Sequence, residues 1–249
     1  MPDTEDVIIL CGGVGLRLRA VTADIPKSLA SVAGRPFLEV LLRQVRRHEL
    51  RRVILATGYR ADAIRSHFGD SFDGLELVYS EELSPLGTGG ALRYAARQVG
   101  SATCLVMNGD SYTDVDLGKV LAAHGSSNAQ VSLVVVPADE RSDSGSVGVD
   151  GAGNVRQFLE KEESRSRRFA NAGIYVLARQ TLFEIPTDAE ISLERELFPE
   201  WIRKGLCVRA FVHSGKCIDI GTPGRYQLAQ AALANVEVAA GADSEGTRP

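Results

Sequence analysis

The chain has 249 residues, with 28 Lys plus Arg against 32 Asp plus Glu and a formal charge of −4. This length can carry a large α/β domain with a substantial core, and the slightly acidic balance excludes broad nucleic-acid binding, so any phosphate site must be local. The N-terminus lacks a basic start with an apolar stretch behind it, and no apolar run reaches the roughly 18 residues of a membrane span, so a soluble, cytoplasmic protein with neither nucleic acid nor membrane as partner is expected.

In chain order, short β-branched apolar runs at 7–11, 53–57, 75–79, 103–107 and 131–136 predict buried strands. Between them, 36–49 predicts a helix with an apolar stripe of Phe37, Leu38, Leu41, Leu42 and Val45 and with Pro36 in its first turn, and 60–68 and 88–98 predict two more. This alternation predicts an α/β fold, a Rossmann-like and mainly parallel sheet flanked by helices, with ligands gathered at the carboxyl ends of its strands. After about residue 137 the rhythm changes. Strands at 145–149, 154–159, 170–177 and 206–212 and a helix at 192–204 predict a mixed α/β half, followed by a closing helix over 222–237 and a frayed tail at 238–249. One domain over 1–237, with halves at about 1–136 and 137–237, is the expected organisation. Cys11, Cys104, Cys207 and Cys217 lie in or beside apolar runs without CxxC spacing and are expected as reduced core residues, and the scattered histidines are expected in surface or packing roles.

The first strand, which includes Leu10, runs into Gly12-Gly13-Val14-Gly15-Leu16-Arg17-Leu18. Without Cβ atoms such a backbone can approach phosphates closely and aim N–H groups at them, and an arginine can clamp two phosphate oxygens at once. A phosphate loop and an ordinary tight turn both fit the glycine spacing. The helix-opening lysine of a Walker loop is missing, and the GGxGxR pattern does not satisfy GxGxxG.

About ten residues further on comes Ile25-Pro26-Lys27-Ser28-Leu29. With both segments in place the sequence resembles the sugar-1-phosphate nucleotidyltransferase family, whose start reads GGxGxRL followed by PK and an apolar residue two positions on. The resemblance extends to about residue 230 and implies a GT-A-like fold with a nucleotide-binding half and a sugar-phosphate-binding half. It implies that Leu10, Gly12, Gly13 and Gly15 line the nucleotide site, and that Arg17 and Lys27 hold the triphosphate. Residues 85–90 (PLGTGG) match the base-recognition turn, making Gly87 and Thr88 candidate base contacts, although Thr88 also suits a helix N-cap.

Two carboxylates complete the nucleotide side of the resemblance. Asp110 ends Asn108-Gly109-Asp110, and Asp219 falls in Cys217-Ile218-Asp219-Ile220-Gly221-Thr222. Both match positions at which the family binds Mg²⁺, an ion that takes oxygen ligands and keeps several waters. Asp114 and Asp116 are expected instead to cap a helix starting near Leu117. On the sugar side, Glu160 and Lys161 match the EK pair that binds sugar hydroxyls and sugar phosphate, Asn171 and Gly173 match the segment that follows, and Gly145 matches another sugar-contacting glycine. The charged run from Lys161 to Arg168 otherwise reads as a solvated loop.

The resemblance implies attack by the phosphate of a sugar 1-phosphate on a nucleoside triphosphate, giving a nucleotide sugar for cell-surface polysaccharide synthesis and pyrophosphate, with Arg17, Lys27, Asp110 and Lys161 at the reacting centre. Within the family, the ILCGG start, the PLGTGG turn, the NGD order and the IDIGTP ending are most similar to the D-glycero-D-manno-heptose 1-phosphate guanylyltransferases. GTP and a heptose 1-phosphate are therefore the expected partners. Mannose 1-phosphate guanylyltransferases and glucose 1-phosphate thymidylyl- or uridylyltransferases are the alternatives, and a homo-oligomer stays open. A glycosyltransferase or a non-catalytic relative is less suited to a chain that carries both Arg17 and Lys27.

Overall fold

A computed structural model of the chain describes residues 5–13, 15–22, 25–138, 145–159, 169–187, 189–215 and 217–234. The first apolar run shows no polar alternation because both faces of its strand are covered: Val7 and Ile9 pack with Phe37, Leu38 and Leu41, whereas Ile8 packs with Leu92, Ala95 and Trp201.

In chain order the elements are β1 (Asp6–Leu10), α1 (Arg19–Thr22), a short hairpin of β2 (Ser31–Val32) and β3 (Arg35–Pro36), α2 (Phe37–Arg47), β4 (Arg52–Thr57) and α3 (Ala61–Phe68). Then come β5 (Ser71–Phe72), β6 (Leu75–Glu81), α4 (Gly87–Ala95), β7 (Thr103–Asn108), β8 (Ser111–Thr113), α5 (Leu117–Gly125) and β9 (Val131–Pro137). The last part holds β10 (Ser146–Val149), β11 (Val155–Leu159), β12 (Phe169–Ala178), α6 (Arg179–Phe183), α7 (Phe198–Arg203), β13 (Val208–Val212), β14 (Cys217–Asp219) and α8 (Pro223–Ala234).

Strands β7, β1, β4 and β6 lie side by side in parallel, and β5 closes the edge antiparallel to β6. Beyond β7 the sheet becomes mixed, because β12 runs antiparallel to β7 and leads on to β10 and β11. The chain leaves β1 toward β4 on one side and returns as β7 on the other, which makes the carboxyl end of β1 a topological switch point. The α/β expectation is thus met. Strand β9 departs from its grouping with the first half: it pairs antiparallel with β12 and in parallel with β13. Its residues from Val131 to Val136 are buried, and a strand covered on both faces carries no pattern that names its neighbours.

Local departures have local causes. Pro36 occupies the N-cap position of α2 with extended backbone and so precedes the first turn. The helix expected at 192–204 opens as a π-turn over Leu193–Leu197 before α7 begins; Ser192 caps it, and Pro199 has no N–H to give to the preceding turn. Asp116 caps α5 as expected, but Asp114 accepts from the Tyr112 hydroxyl at 3.1 Å instead of capping a helix. Cys11 and Cys104 are buried, whereas Cys207 and Cys217 are only half-buried because they border edge strands; all are free thiols. Among the described residues no helix is long and apolar enough to cross a membrane.

Candidate active site

A cleft of about 1020 Å³ opens over the carboxyl ends of β1, β4 and β7. Its floor exists because Gly109 has no side chain: a Cβ there would lie 2.5 Å from the Leu10 carbonyl oxygen, to which the Gly109 N–H donates at 2.9 Å. That contact ties the ends of β1 and β7 together and sets Asp110 at the rim. Strand β1 then releases the glycine-rich turn, in which Gly13 faces open space and Gly15 backs onto the Lys27 side chain. Lys27 itself opens a short 3-10 turn behind Pro26.

The second carboxylate arrives from far along the chain. Strand β14 pairs antiparallel with β8 so that Asp219 stands opposite Ser111, and the Ile220 N–H donates to the Asp110 carbonyl at 3.0 Å. Lys27 Nζ lies 2.5 Å from Asp110 Oδ2, and Arg225 Nη1 lies 2.9 Å from Asp219 Oδ2. A single point shows how tightly the charges converge: the place a Gly221 Cβ would take is 3.1 Å from Asp219 Oδ1, 3.7 Å from Lys27 Nζ and 4.0 Å from Arg17 Nη2. Burial alone raises the Asp110 carboxyl, but the Lys27 ammonium, the Ser111 hydroxyl and the charge of Arg17 outweigh it and hold the group below the ordinary carboxylate value.

Two walls flank this charged floor. On one, Gly12 packs against Gly58 and the Glu82 carboxylate, and the PLGTGG turn opens α4. Gly87 and Thr88 border the cleft, yet each has a packing duty that the sequence does not reveal. Gly87 has φ +68°, and a Cβ would stand 2.5 Å from the Ile191 carbonyl oxygen, so this glycine is required by the approach of the 189–191 segment. Thr88 is no N-cap: it lies inside α4, donates to Glu194 Oε2 at 2.7 Å and accepts from the Leu193 N–H at 2.8 Å.

On the other wall stand Gly145, Asn171 and Gly173. Pairing of β12 with β9 breaks between Asn171 and Tyr175, and Gly173 sits in that irregularity with φ +74° against Asn108. The break turns Asn171 toward the Tyr175 hydroxyl, to which its Nδ2 donates at 2.7 Å. Glu160 and Lys161 lie outside the described residues. The other expected site residues, from Leu10 to Asp219, border this one cleft.

The profile of the nucleotidyl transferase family matches residues 6–236. The chain belongs to the nucleotidyl transferase family. It is 35% identical to the D-glycero-alpha-D-manno-heptose 1-phosphate guanylyltransferase of Aneurinibacillus thermoaerophilus, over 92% of this chain and 98% of that protein. It is 37% identical to the mannose-1-phosphate guanylyltransferase of Mycobacterium tuberculosis, over 92% of this chain but only 64% of that longer protein. The crystal structure of HddC from Yersinia pseudotuberculosis superposes with a TM-score of 0.81 at 31% identity, covering 92% of this chain and 99% of that one, and HddC has also been solved in complex with GMP-PN.

The cleft of this nucleotidyltransferase is also bordered by charged residues that no motif marked, among them Glu82, Glu194 and Arg225. Glu82 follows β6, is pushed above the ordinary carboxyl value by burial, and among the described residues receives one hydrogen bond, from the Leu86 N–H at 3.3 Å, that partly offsets it. Glu194 sits on the π-turn, and Arg225 on the first turn of α8. The position of Glu82 at the carboxyl end of a parallel strand was the one available signal. For a divalent ion the donor chemistry fits: Asp110 and Asp219 offer hard oxygens at the same rim, and among the described residues no three His, Cys, Asp or Glu side chains cluster closely enough to form an all-protein cage. That set suits an ion whose remaining positions go to water and phosphate oxygens.

Proposed function

We propose that the protein transfers a guanylyl group from GTP to a sugar 1-phosphate in a Mg²⁺-dependent reaction, giving a GDP-sugar and pyrophosphate. The convergence of Arg17, Lys27 and Asp219 about Gly221, with Asp110 paired to Lys27, carries this reading, because it joins phosphate-binding cations to metal-binding carboxylates at one strand edge. A manno-configured heptose 1-phosphate is the first choice of acceptor, supported by the likeness to the heptose guanylyltransferases. Mannose 1-phosphate is the second, supported by the 37% identity to the mycobacterial enzyme.

The residues account for the chemistry without a protein nucleophile. A phosphate oxygen of the sugar 1-phosphate attacks the α-phosphorus in line, and the bond to the β-phosphate oxygen breaks. No general base is needed, since a phosphate monoester is already ionised near neutral pH. Arg17 and Lys27 take up the charge that grows on the departing pyrophosphate, and Lys161 holds the attacking phosphate by charge-assisted hydrogen bonds. Asp110 and Asp219 would hold Mg²⁺, which when bound would supply neutralisation of phosphate charge.

Glu82 supports guanine in particular. A carboxylate accepts two hydrogen bonds side by side, and guanine presents adjacent N1–H and N2–H donors, whereas the Watson–Crick edges of uracil, cytosine and adenine have no two neighbouring positions that both donate. The test is a matrix of the common nucleoside triphosphates against heptose, mannose and glucose 1-phosphates, read by pyrophosphate release. Release with GTP and a manno-configured acceptor is expected. Turnover confined to UTP or dTTP would overturn the guanylyl assignment.

A further inference from the structure

Glu194 holds its carboxylate unevenly. Oε2 accepts from Thr88 Oγ1 at 2.7 Å and from Ser192 Oγ at 3.4 Å, whereas Oε1 has two long contacts, Tyr175 Oη at 3.3 Å and Asn108 Nδ2 at 3.5 Å. Hydrogen bonds of that length are weak, so one oxygen is anchored and the other is under-used. Among the described residues no ion pair engages Glu194, although it borders the cleft. Beside it, Asn108 Oδ1 is buried without a hydrogen-bond partner among the described residues. Leaving such acceptors unfilled costs free energy, and a ligand that donates to them recovers it.

The surroundings select the ligand. Negative charge here repels phosphate, so a hydroxylated part of a substrate suits the place better than a charged one. The Tyr175 hydroxyl joins Glu194 to Asn171, and Gly173 packs on Asn108, so Glu194 shares its network with the wall formed by the β12 irregularity. Glu82 lies against Gly12 and Gly58, and no hydrogen bond among the described residues links it to this network. The π-turn beneath Glu194 is a device that aims a side chain differently from a regular helix.

We propose that Glu194 is a specificity-determining residue for the acceptor sugar, its Oε1 accepting a hydrogen bond from one ring hydroxyl while Thr88 and Tyr175 hold the carboxylate toward it. This rests on the sugar 1-phosphate reading given above and adds to it a residue outside the EK pair.

A deoxy-sugar cycle tests it. Wild type, Glu194→Ala and Glu194→Gln are assayed with GTP against the preferred sugar 1-phosphate and its monodeoxy analogues, each lacking one ring hydroxyl. For one analogue, wild type should lose about 10–100-fold in kcat/KM, the range for a hydrogen bond to a charged group, while Glu194→Ala loses less than about threefold. The KM for GTP should stay within about threefold of wild type in both variants, which a merely structural role at the Thr88 turn would not allow. Should Glu194→Ala fail to fold, Glu194→Gln keeps the shape and should show the same coupling at reduced size. If every analogue costs the variants what it costs wild type, Glu194 does not read the sugar. A wild-type enzyme that accepts no sugar 1-phosphate at all overturns the parent reading and this one with it, and the two failures are distinct.

Discussion

Replacing Lys27 by Ala separates catalysis from stability. Its ammonium touches Asp110 Oδ2 at 2.5 Å and is only 14% exposed, whereas the Asp110 side chain is 40% exposed toward the cleft. Water can therefore solvate Asp110 once the partner is gone, and the loss of folding stability should stay within about 1 kcal/mol, as for other solvent-accessible pairs. The transition state has no such substitute. One preorganised cation lost from the departing pyrophosphate costs about 10²–10³-fold in kcat/KM, or roughly 3–4 kcal/mol. Without Lys27 the burial that raises the Asp110 carboxyl is opposed mainly by Ser111 and Arg17, so the carboxylate should also protonate at higher pH in the variant. Pyrophosphate release over a range of GTP, beside thermal unfolding of the same preparation, measures both quantities. Wild-type turnover by the variant, or a collapse in stability matching the loss of activity, would refute the reasoning.

Other outcomes follow from particular groups. EDTA should abolish activity, Mg²⁺ should restore it, and Asp219→Asn should raise the Mg²⁺ concentration for half-maximal rate about tenfold or more, the equivalent of one charge-assisted contact; an unchanged Mg²⁺ dependence would remove Asp219 from the metal set. Glu82→Gln should raise the KM for GTP about 10–100-fold at pH 8. Because burial raises the Glu82 carboxyl, the wild-type KM for GTP should also climb as pH falls toward a value above that of an ordinary glutamate, and this dependence should be missing in the variant. Asp6 tests the scaffold: its carboxylate accepts from Arg52 at 2.7 Å, the Gly100 N–H at 2.6 Å and the Ser101 N–H at 3.0 Å, and these outweigh its burial to hold it below the ordinary value. Asp6→Ala should cost about 3–5 kcal/mol at pH 7, as for other broken buried pairs. A carboxyl whose folded value is lowered stabilises above its unfolded value near 3.8 and loses that contribution as pH falls below it, so urea unfolding should show wild type and variant drawing together toward pH 3. A constant gap across that range would contradict the assignment.

The parts of the molecule that were legible are those whose cause is local. The unbroken apolar run of β1, the glycines behind it, and the Pro26-Lys27 step all lie within one short stretch, so their pattern names both an element and a place at a strand end. Asp219 is different. Its approach to Asp110 depends on β14 pairing with β8, a match of three-residue strands that carries no recognisable register in the sequence, and only the family resemblance pointed to it. Glu82 and Glu194 were illegible for separate reasons. Glu82 follows Glu81 and reads as part of a solvated charged turn until β6 takes its place beside β4. Glu194 sits in ISLEREL, a regular amphipathic pattern that conceals the π-turn. Gly87 was legible as a candidate base contact, but the approach of the Ile191 backbone behind the turn, a further reason for a glycine there, was not.

The central claim is that the α-phosphoryl group moves with its nucleoside to a sugar phosphate and never to the protein. Reaction with [α-³²P]GTP and [γ-³²P]GTP in parallel, with and without the acceptor sugar 1-phosphate, follows both ends of the triphosphate. The α-label should appear in a GDP-sugar only when the acceptor is present, and the γ-label should leave only as pyrophosphate. A γ-label found on the sugar, or an α-label bound to the denatured protein, would contradict it.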